Sequence, residues 1–121
     1  MMRSDPPELR RSTIRNTKHP GKDVCYVYTH AYPNGTVFYV GSGRNYRAWN
    51  FHNRSPAHKG AIRSIGKENV VVTIYDVPDS IRQFYFERLM IERCLLDGAI
   101  LLQHVSKDIL ARVGQSTATL Q

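Results

Sequence analysis

From Val24 to Gly41 the chain carries no Lys, Arg, Asp or Glu. This window divides into two strand-forming runs, Val24-Cys25-Tyr26-Val27-Tyr28-Thr29 and Thr36-Val37-Phe38-Tyr39-Val40, on either side of Pro33-Asn34-Gly35. β-Branched and aromatic side chains suit a pleated surface, and Asn-Gly accepts the positive φ that tight turns demand, with Pro33 fixing the approach of the chain. The window reads as a β-hairpin. By the period of two, Tyr26 and Tyr28 share one of its faces.

The elements that follow are marked by their punctuation. Gly41-Ser42-Gly43 ends the second strand, and Asn45 to Phe51 reads as the start of a helix with Asn45 as its cap. Ser55, with Pro56 at the first helical position, opens a helix that runs to Ile65 and stops at Gly66. Val70 to Tyr75 is a short β-branched strand. Asp79 or Ser80 caps a long helix ending at Leu96 before Asp97-Gly98, and Ile81, Phe84, Ile91 and Leu95 form its apolar stripe. Ala99 to Leu102 is a brief apolar strand or packing segment, and the tail from Gly114 reads as fraying. The order is β-β-α-α-β-α, a small α+β layer fold, and 121 residues leave room for one core.

Charge is distributed unevenly over this frame. The net charge is +7, which points to a polyanionic partner, nucleic acid first. Residues 1–23 hold six basic residues against three acids with no sustained periodicity, and are expected to form a flexible basic arm. A second basic block, Arg44, Arg47, Arg54, Lys59, Arg63 and Lys67 against Glu68 alone, follows the hairpin directly. No apolar run approaches the roughly 18 residues needed to span a bilayer, and the N-terminus has no apolar signal-peptide core, so a cytoplasmic protein without a membrane segment is expected. Cys25 and Cys94 stand far apart in apolar surroundings and read as buried free thiols, which argues against disulfide, zinc and redox chemistry.

Several motifs point only weakly to chemistry. Gly41-Ser42-Gly43-Arg44 resembles a phosphate-cradling turn, but it lacks the third glycine of a dinucleotide site and the Gly-Lys-Ser/Thr of a P-loop. His52 and His58 have no carboxylate between them to complete a ββα nuclease metal site. Glu87 and Glu92 flank the two edges of the long helix's stripe; periodicity does not choose between them, and salt bridges with Arg88 or Arg93 would account for either.

The order of the residues is more specific than any one motif. Tyr26-Val27-Tyr28, ten intervening residues, Tyr39-Val40-Gly41, then Arg47, a histidine and a helical glutamate resemble the GIY-YIG nuclease family, most closely its small phage and bacterial members. The first motif has Tyr26 where the family has glycine. The resemblance spans 24–104 and leaves 105–121 as a C-terminal extension. It implies a three-stranded antiparallel sheet flanked by helices, and cleavage of DNA phosphodiesters with one Mg²⁺ or Mn²⁺ ion. By position it assigns Tyr28, Tyr39, Arg47 and Glu87 to the catalytic site, with Glu87, which precedes Leu89-Met90-Ile91, holding the metal. The family's histidine is matched by His58, with His52 as the alternative, and Gln103 is the amide nearest to the family's asparagine.

In the implied reaction Tyr28 is the general base, His58 receives its proton, Arg47 clamps the phosphate and Tyr39 aligns the pair of phenols. Arg44, Arg54, Lys59, Arg63 and Lys67 are expected to bind nucleic-acid phosphates. Two other readings are a DNA-binding module on the same fold that has lost turnover, and a structural protein that forms a homodimer through the apolar helix 80–96.

Overall fold

The computed structural model describes residues 6, 9–11, 25–77 and 80–119. Its centre is the expected hairpin, formed by β2 (Cys25–Ala31) and β3 (Val37–Arg44), which pair antiparallel with Tyr28 opposite Gly41 and His30 opposite Tyr39. The turn is a three-residue loop. Gly35 N–H donates to the Tyr32 carbonyl at 2.8 Å, Tyr32 N–H to the Thr36 carbonyl at 2.9 Å, and Thr36 N–H to Asn34 Oδ1 at 2.9 Å. Gly35, at φ 93°, takes the left-handed conformation, as in a type I turn closed by a glycine bulge.

A third strand, β4 (Val71–Asp76), pairs antiparallel with the other edge of β2, so β2 is central and all seven of its residues are buried. The order is β1-β4-β2-β3, where β1 (Arg10–Arg11) is a two-residue strand paired antiparallel with β4. β1 corrects the reading of residues 1–23 as wholly flexible: Leu9 is buried in the core beside it, while 12–24 lie outside the described residues.

Helices cover both faces. Ser55 caps α1 (Pro56–Ile65) as expected, its hydroxyl accepting from His58 N–H at 3.2 Å, and Gly66 ends it at φ 84°. The helix expected over Asn45–Phe51 is instead a 3₁₀ turn at Arg47–Trp49, and Asn45 sits at φ 52° rather than capping it. α2 (Gln83–Leu96) follows a 3₁₀ turn at Ser80–Arg82, and Asp79, the alternative cap, lies outside the described residues.

The stripe expected on α2 is displaced. Phe86, Met90, Ile91 and Cys94 are buried against Val27, Val40 and Tyr75, whereas Ile81 and Phe84 are 91% and 66% exposed. This helix is apolar over most of its circumference, so periodicity does not fix its phase; the sheet does. Both cysteines are buried, and neither forms a disulfide.

The C-terminal tail is also corrected. Residues Lys107–Thr119 form a third helix, α3. The Ser106 hydroxyl accepts from Ile109 N–H at 3.4 Å, Ile109 is buried with Val105 and Val113 packed nearby, and Arg112 Nε donates to Glu92 at 2.5 Å. The helix is held by packing on α2 rather than by the propensity of its Gly, Ser and Thr residues. The segment Ala99–Leu102 is not a strand, though Leu102 N–H donates to the Phe38 carbonyl at 2.8 Å. No helix among the described residues is long and apolar enough to cross a membrane.

Candidate active site

The two faces of the sheet differ in chemistry. The α2 face is apolar, whereas the opposite face carries Tyr26, Tyr28 and His30 from alternate positions of β2, with Tyr39 from β3 beside them. Over this aromatic floor lies the segment from Arg47 to His58. Tyr26 anchors its start: the phenol donates to the Asn45 carbonyl at 2.7 Å and accepts from Ala48 N–H at 3.0 Å.

Tyr28 is 1% exposed, and its hydroxyl oxygen accepts from Arg54 Nη1 at 2.6 Å. The Arg54 guanidinium stands 5.4 Å from the Tyr28 ring centre and 5.3 Å from that of Tyr39. Burial pushes the Tyr28 phenol above its ordinary range, with Arg54 opposing it. Gly41 provides the space for the phenol. A side chain there would stand 2.5 Å from both Cζ and the hydroxyl of Tyr28, and one at Gly43 would meet the stem of Arg47 at 2.8 Å.

Arg54 is the clearest correction to the expected phosphate-binding surface. It is 7% exposed, and its remaining donors go to carbonyls, Nε to Asn50 at 3.1 Å and Nη2 to Arg47 at 2.6 Å and Asn50 at 2.9 Å. All of these acceptors are neutral, and the guanidinium lies beside the two tyrosines. Charge pattern gives no sign of this, because a basic block looks the same whether its members are solvated or folded inward. Arg47 is half-buried and spans the same loop, donating to the carbonyls of His52 at 3.2 Å and Asn53 at 3.4 Å. Arg44, Lys59, Arg63 and Lys67 are exposed, as their expected role requires.

His58 is fully buried, and its Nε2 lies 2.9 Å from Nδ1 of His30, whose own Nε2 lies 2.6 Å from the Ala48 carbonyl. Burial, with the charges of Arg54 and Arg47 adding to it, lowers His58 to about 4. Its partner is thus His30 rather than Tyr28, which removes it as the direct receiver of the Tyr28 proton. His52 is exposed on the loop and contributes its backbone carbonyl to Arg47. His30 is absent from the sequence-level site, although the two-residue period from Tyr26 and Tyr28 places it on their face.

Glu87 reaches β3 from the α2 side. Burial pushes its carboxyl above the usual range, and a hydrogen bond from the Ser42 hydroxyl opposes the shift. Ser42 lies between Gly41 and Gly43, so Tyr28 and Glu87 meet the same short stretch of β3 from opposite faces. β3 is the sheet's outer strand. Glu92 is committed to Arg112, which leaves Glu87 as the α2 carboxylate facing the strand.

A carboxylate without a cationic partner among the described residues suits a hard divalent ion, which takes oxygen ligands. Among the described residues no three His, Cys, Asp or Glu side chains cluster, so Glu87 would serve as a single acidic ligand, with the remaining positions left to water and phosphate.

Gln103 is bound to the backbone of β3. Its Oε1 accepts from Val40 N–H at 2.7 Å and its Nε2 donates to the Val40 carbonyl at 2.8 Å. With both ends of its amide engaged, it acts as a one-residue strand that closes the edge of β3 beside Tyr39 and Gly41. By the two-residue period, Ser42 is the next residue whose backbone faces that edge.

Comparison with family models, with curated proteins and with solved structures returned no match.

Proposed function

We propose that the chain is a metal-dependent endonuclease that hydrolyses DNA phosphodiester bonds by GIY-YIG chemistry. The observation that carries this reading is the Tyr28–Arg54 contact of 2.6 Å beneath Tyr39, built over Gly41 on the strand whose other face meets Glu87 through Ser42. A phenol, an arginine and a carboxylate, neither of the last two with a counter-ion among the described residues, are thereby gathered about one strand.

In the proposed reaction water attacks phosphorus in line with the leaving 3′ oxygen, and negative charge builds on the nonbridging oxygens. Arg47 meets that charge with its planar fork of donors. Tyr28, having lost its own proton to solvent, acts as a phenolate that Arg54, already bonded to its oxygen, stabilises, and it becomes the neutral phenol on taking the proton of the attacking water. Tyr39 lines the phosphate side of this pair. Glu87 would hold Mg²⁺ or Mn²⁺ through oxygen, and the ion, when bound, supplies positive charge at the leaving oxygen. Arg44, Lys59, Arg63 and Lys67, all exposed, give the DNA backbone its cationic track.

One observation favours a second reading, a DNA-binding module without turnover: Tyr28 is almost wholly buried, as a packing tyrosine would be. Incubation with plasmid, branched DNA and RNA, with and without Mg²⁺, separates the two. The nuclease reading expects Mg²⁺-dependent nicking of DNA, and salt-sensitive binding without nicking would establish the module.

A further inference from the structure

His30 lies on central strand β2, fully buried, and its two nitrogens reach the two places from which the site's arginines emerge. Nε2 is 2.6 Å from the carbonyl of Ala48, the residue after Arg47, and Nδ1 is 2.9 Å from Nε2 of His58, four residues beyond Arg54. A carbonyl only accepts, so His30 carries its proton on Nε2. Its bare Nδ1 then accepts from His58 Nε2–H, and a neutral His58 is left with a bare Nδ1. That atom is the buried side-chain polar atom left without a partner among the described residues.

An unpaired buried acceptor costs stability. A leucine at 58, set among the rings of Phe38, Tyr39 and Phe51, would remove that atom but leave Nδ1 of His30 unpaired in its place. What the pair does is join β2, the 3₁₀ turn and the first turn of α1 at one point. Arg47 and Arg54 spend their donors on carbonyls of that same segment, so where it sits on the sheet sets where they sit.

We propose that His30 is a positioning residue for Arg47 and Arg54, holding the Arg54 guanidinium over the Tyr28–Tyr39 floor and the loop that carries Arg47 beside it, through its paired bonds to Ala48 and His58. The inference rests on the nuclease reading for what the arginines act on, but not for how they are held. Burial above all, with the nearby arginine charges, lowers His30 to about 3 and His58 to about 4, so both rings remain neutral and the bonding pattern persists near neutral pH.

The test compares His30→Leu, His30→Asn and His30→Gln in the full chain. An asparagine amide oxygen reaches the Nδ1 position and accepts from His58; a glutamine amide nitrogen reaches the Nε2 position and donates to Ala48. Nitrogen-15 spectra of the imidazoles and of the arginine Nε–H groups are recorded beside melting curves and plasmid nicking. In the wild type both histidines are expected as Nε2–H tautomers, with the Arg54 Nε–H resolved and slow to exchange. His30→Leu is expected to melt below the wild type, because His58 Nε2–H and the Ala48 carbonyl lose their partner, to lose the distinct Arg54 signal, and to cut at least tenfold more slowly, while the Asn and Gln variants each recover part of the signal and of the cleavage. A His30→Leu protein with unchanged Arg54 signal and unchanged cleavage would overturn the proposal. So would an Nδ1–H tautomer of His30 in the wild type, a measurement that needs no variant to fold. If the wild type nicks nothing, the nuclease reading fails alone, and the arginine spectra still decide how the arginines are held.

Discussion

Tyr28 and Gly41 are direct partners across the β2–β3 pairing, and the Tyr28 ring fills the space that a side chain at 41 would occupy, with Cζ and the hydroxyl each 2.5 Å from an ideal Cβ. The atoms that would have to yield belong to a buried phenol fixed by Arg54, not to the free end of a flexible chain. Gly41→Ala is therefore expected to cost about 1–3 kcal/mol, the usual range for overpacking, and to move the Tyr28 oxygen away from Arg54. A melting curve lowered by several degrees together with lost nicking is the expected pair of results; a variant that melts and cuts like the wild type would show that the ring can step aside.

Tyr28→Phe keeps the ring and removes the oxygen on which Arg54 Nη1 is placed. A buried donor left unpaired costs roughly 1–3 kcal/mol, and loss of the proposed base lowers turnover by a further factor of about 10² or more. Tyr26→Phe is the same-face control, since its hydroxyl serves the Asn45 carbonyl and Ala48 N–H and is expected to affect stability more than turnover. Single-turnover cleavage by Tyr28→Phe at the Tyr26→Phe rate would leave Tyr28 as a packing residue.

Acid should destabilise the fold before ordinary carboxylates titrate. His30 and His58 are lowered to about 3 and about 4 in the folded protein, whereas an unfolded histidine titrates near 6.5. Between those limits the unfolded chain binds protons that the folded chain refuses, so stability is full above about pH 6.5 and is lost as pH falls. His30 alone contributes a slope of about 1.4 kcal/mol per pH unit in that window, and His58 adds to it with the same sign. Urea unfolding midpoints measured from pH 7 to pH 5 should decline steadily. A flat profile would show that the rings are charged or solvated in the native state.

How much of this could be read in the sequence differs from element to element. The hairpin was legible because Pro33-Asn34-Gly35 punctuates two β-branched runs, and α1 because Ser55-Pro56 and Gly66 mark its ends. The phase of α2 was not, since Phe84, Tyr85 and Phe86 are adjacent apolar residues and only contact with the sheet selects Phe86. α3 was hidden because its polar tail has low helix propensity, while Ile109 and Arg112 find partners that no local pattern announces. Within the site, strand period places Tyr26 and Tyr28 on one face, whereas the choice of Tyr28 and Tyr39 as site residues rests on the family resemblance. The inward turn of Arg54 was not, because it depends on carbonyls of Arg47 and Asn50 being brought together by the loop. Gln103 illustrates a different difficulty: the family resemblance singles out the amide, but only its pairing with Val40 reveals that it holds the strand edge.

The N-terminal segment is expected to matter to stability as well as to DNA affinity. Leu9 is buried with Tyr75 in the core, and Arg10–Arg11 pair with β4. Leu9→Ala is expected to cost about 2 kcal/mol or more, as truncation of a buried leucine generally does, whereas a segment that only trails in solvent would leave the melting curve unchanged. Removal of residues 1–20 should lower the melting temperature and also weaken salt-dependent DNA binding, by the loss of Arg3, Arg10, Arg11, Arg15 and Lys18. Equal melting of the truncated and full chains would show the docking to be incidental.

Glu87→Gln should separate chemistry from stability most cleanly. Burial raises the Glu87 carboxyl in the folded protein and the Ser42 hydroxyl only partly opposes this, so the folded chain holds that proton to a higher pH than the unfolded chain does. The sign follows: what this group contributes is present below the unfolded carboxyl range and is lost as pH rises through the folded value, which makes the ionised form unfavourable to the fold near neutrality. Glutamine keeps the shape and an acceptor for Ser42 while removing the charge. The variant should therefore melt at or slightly above the wild-type temperature at neutral pH, yet lose metal-dependent nicking by a factor of about 10² or more, because a neutral amide is a much poorer ligand for Mg²⁺. Added Mg²⁺ should raise the melting point of the wild type and leave that of Glu87→Gln unmoved. Nicking by the purified variant at the wild-type rate would take Glu87 out of the site, and a lowered melting point with intact cleavage would make it a packing residue held by Ser42.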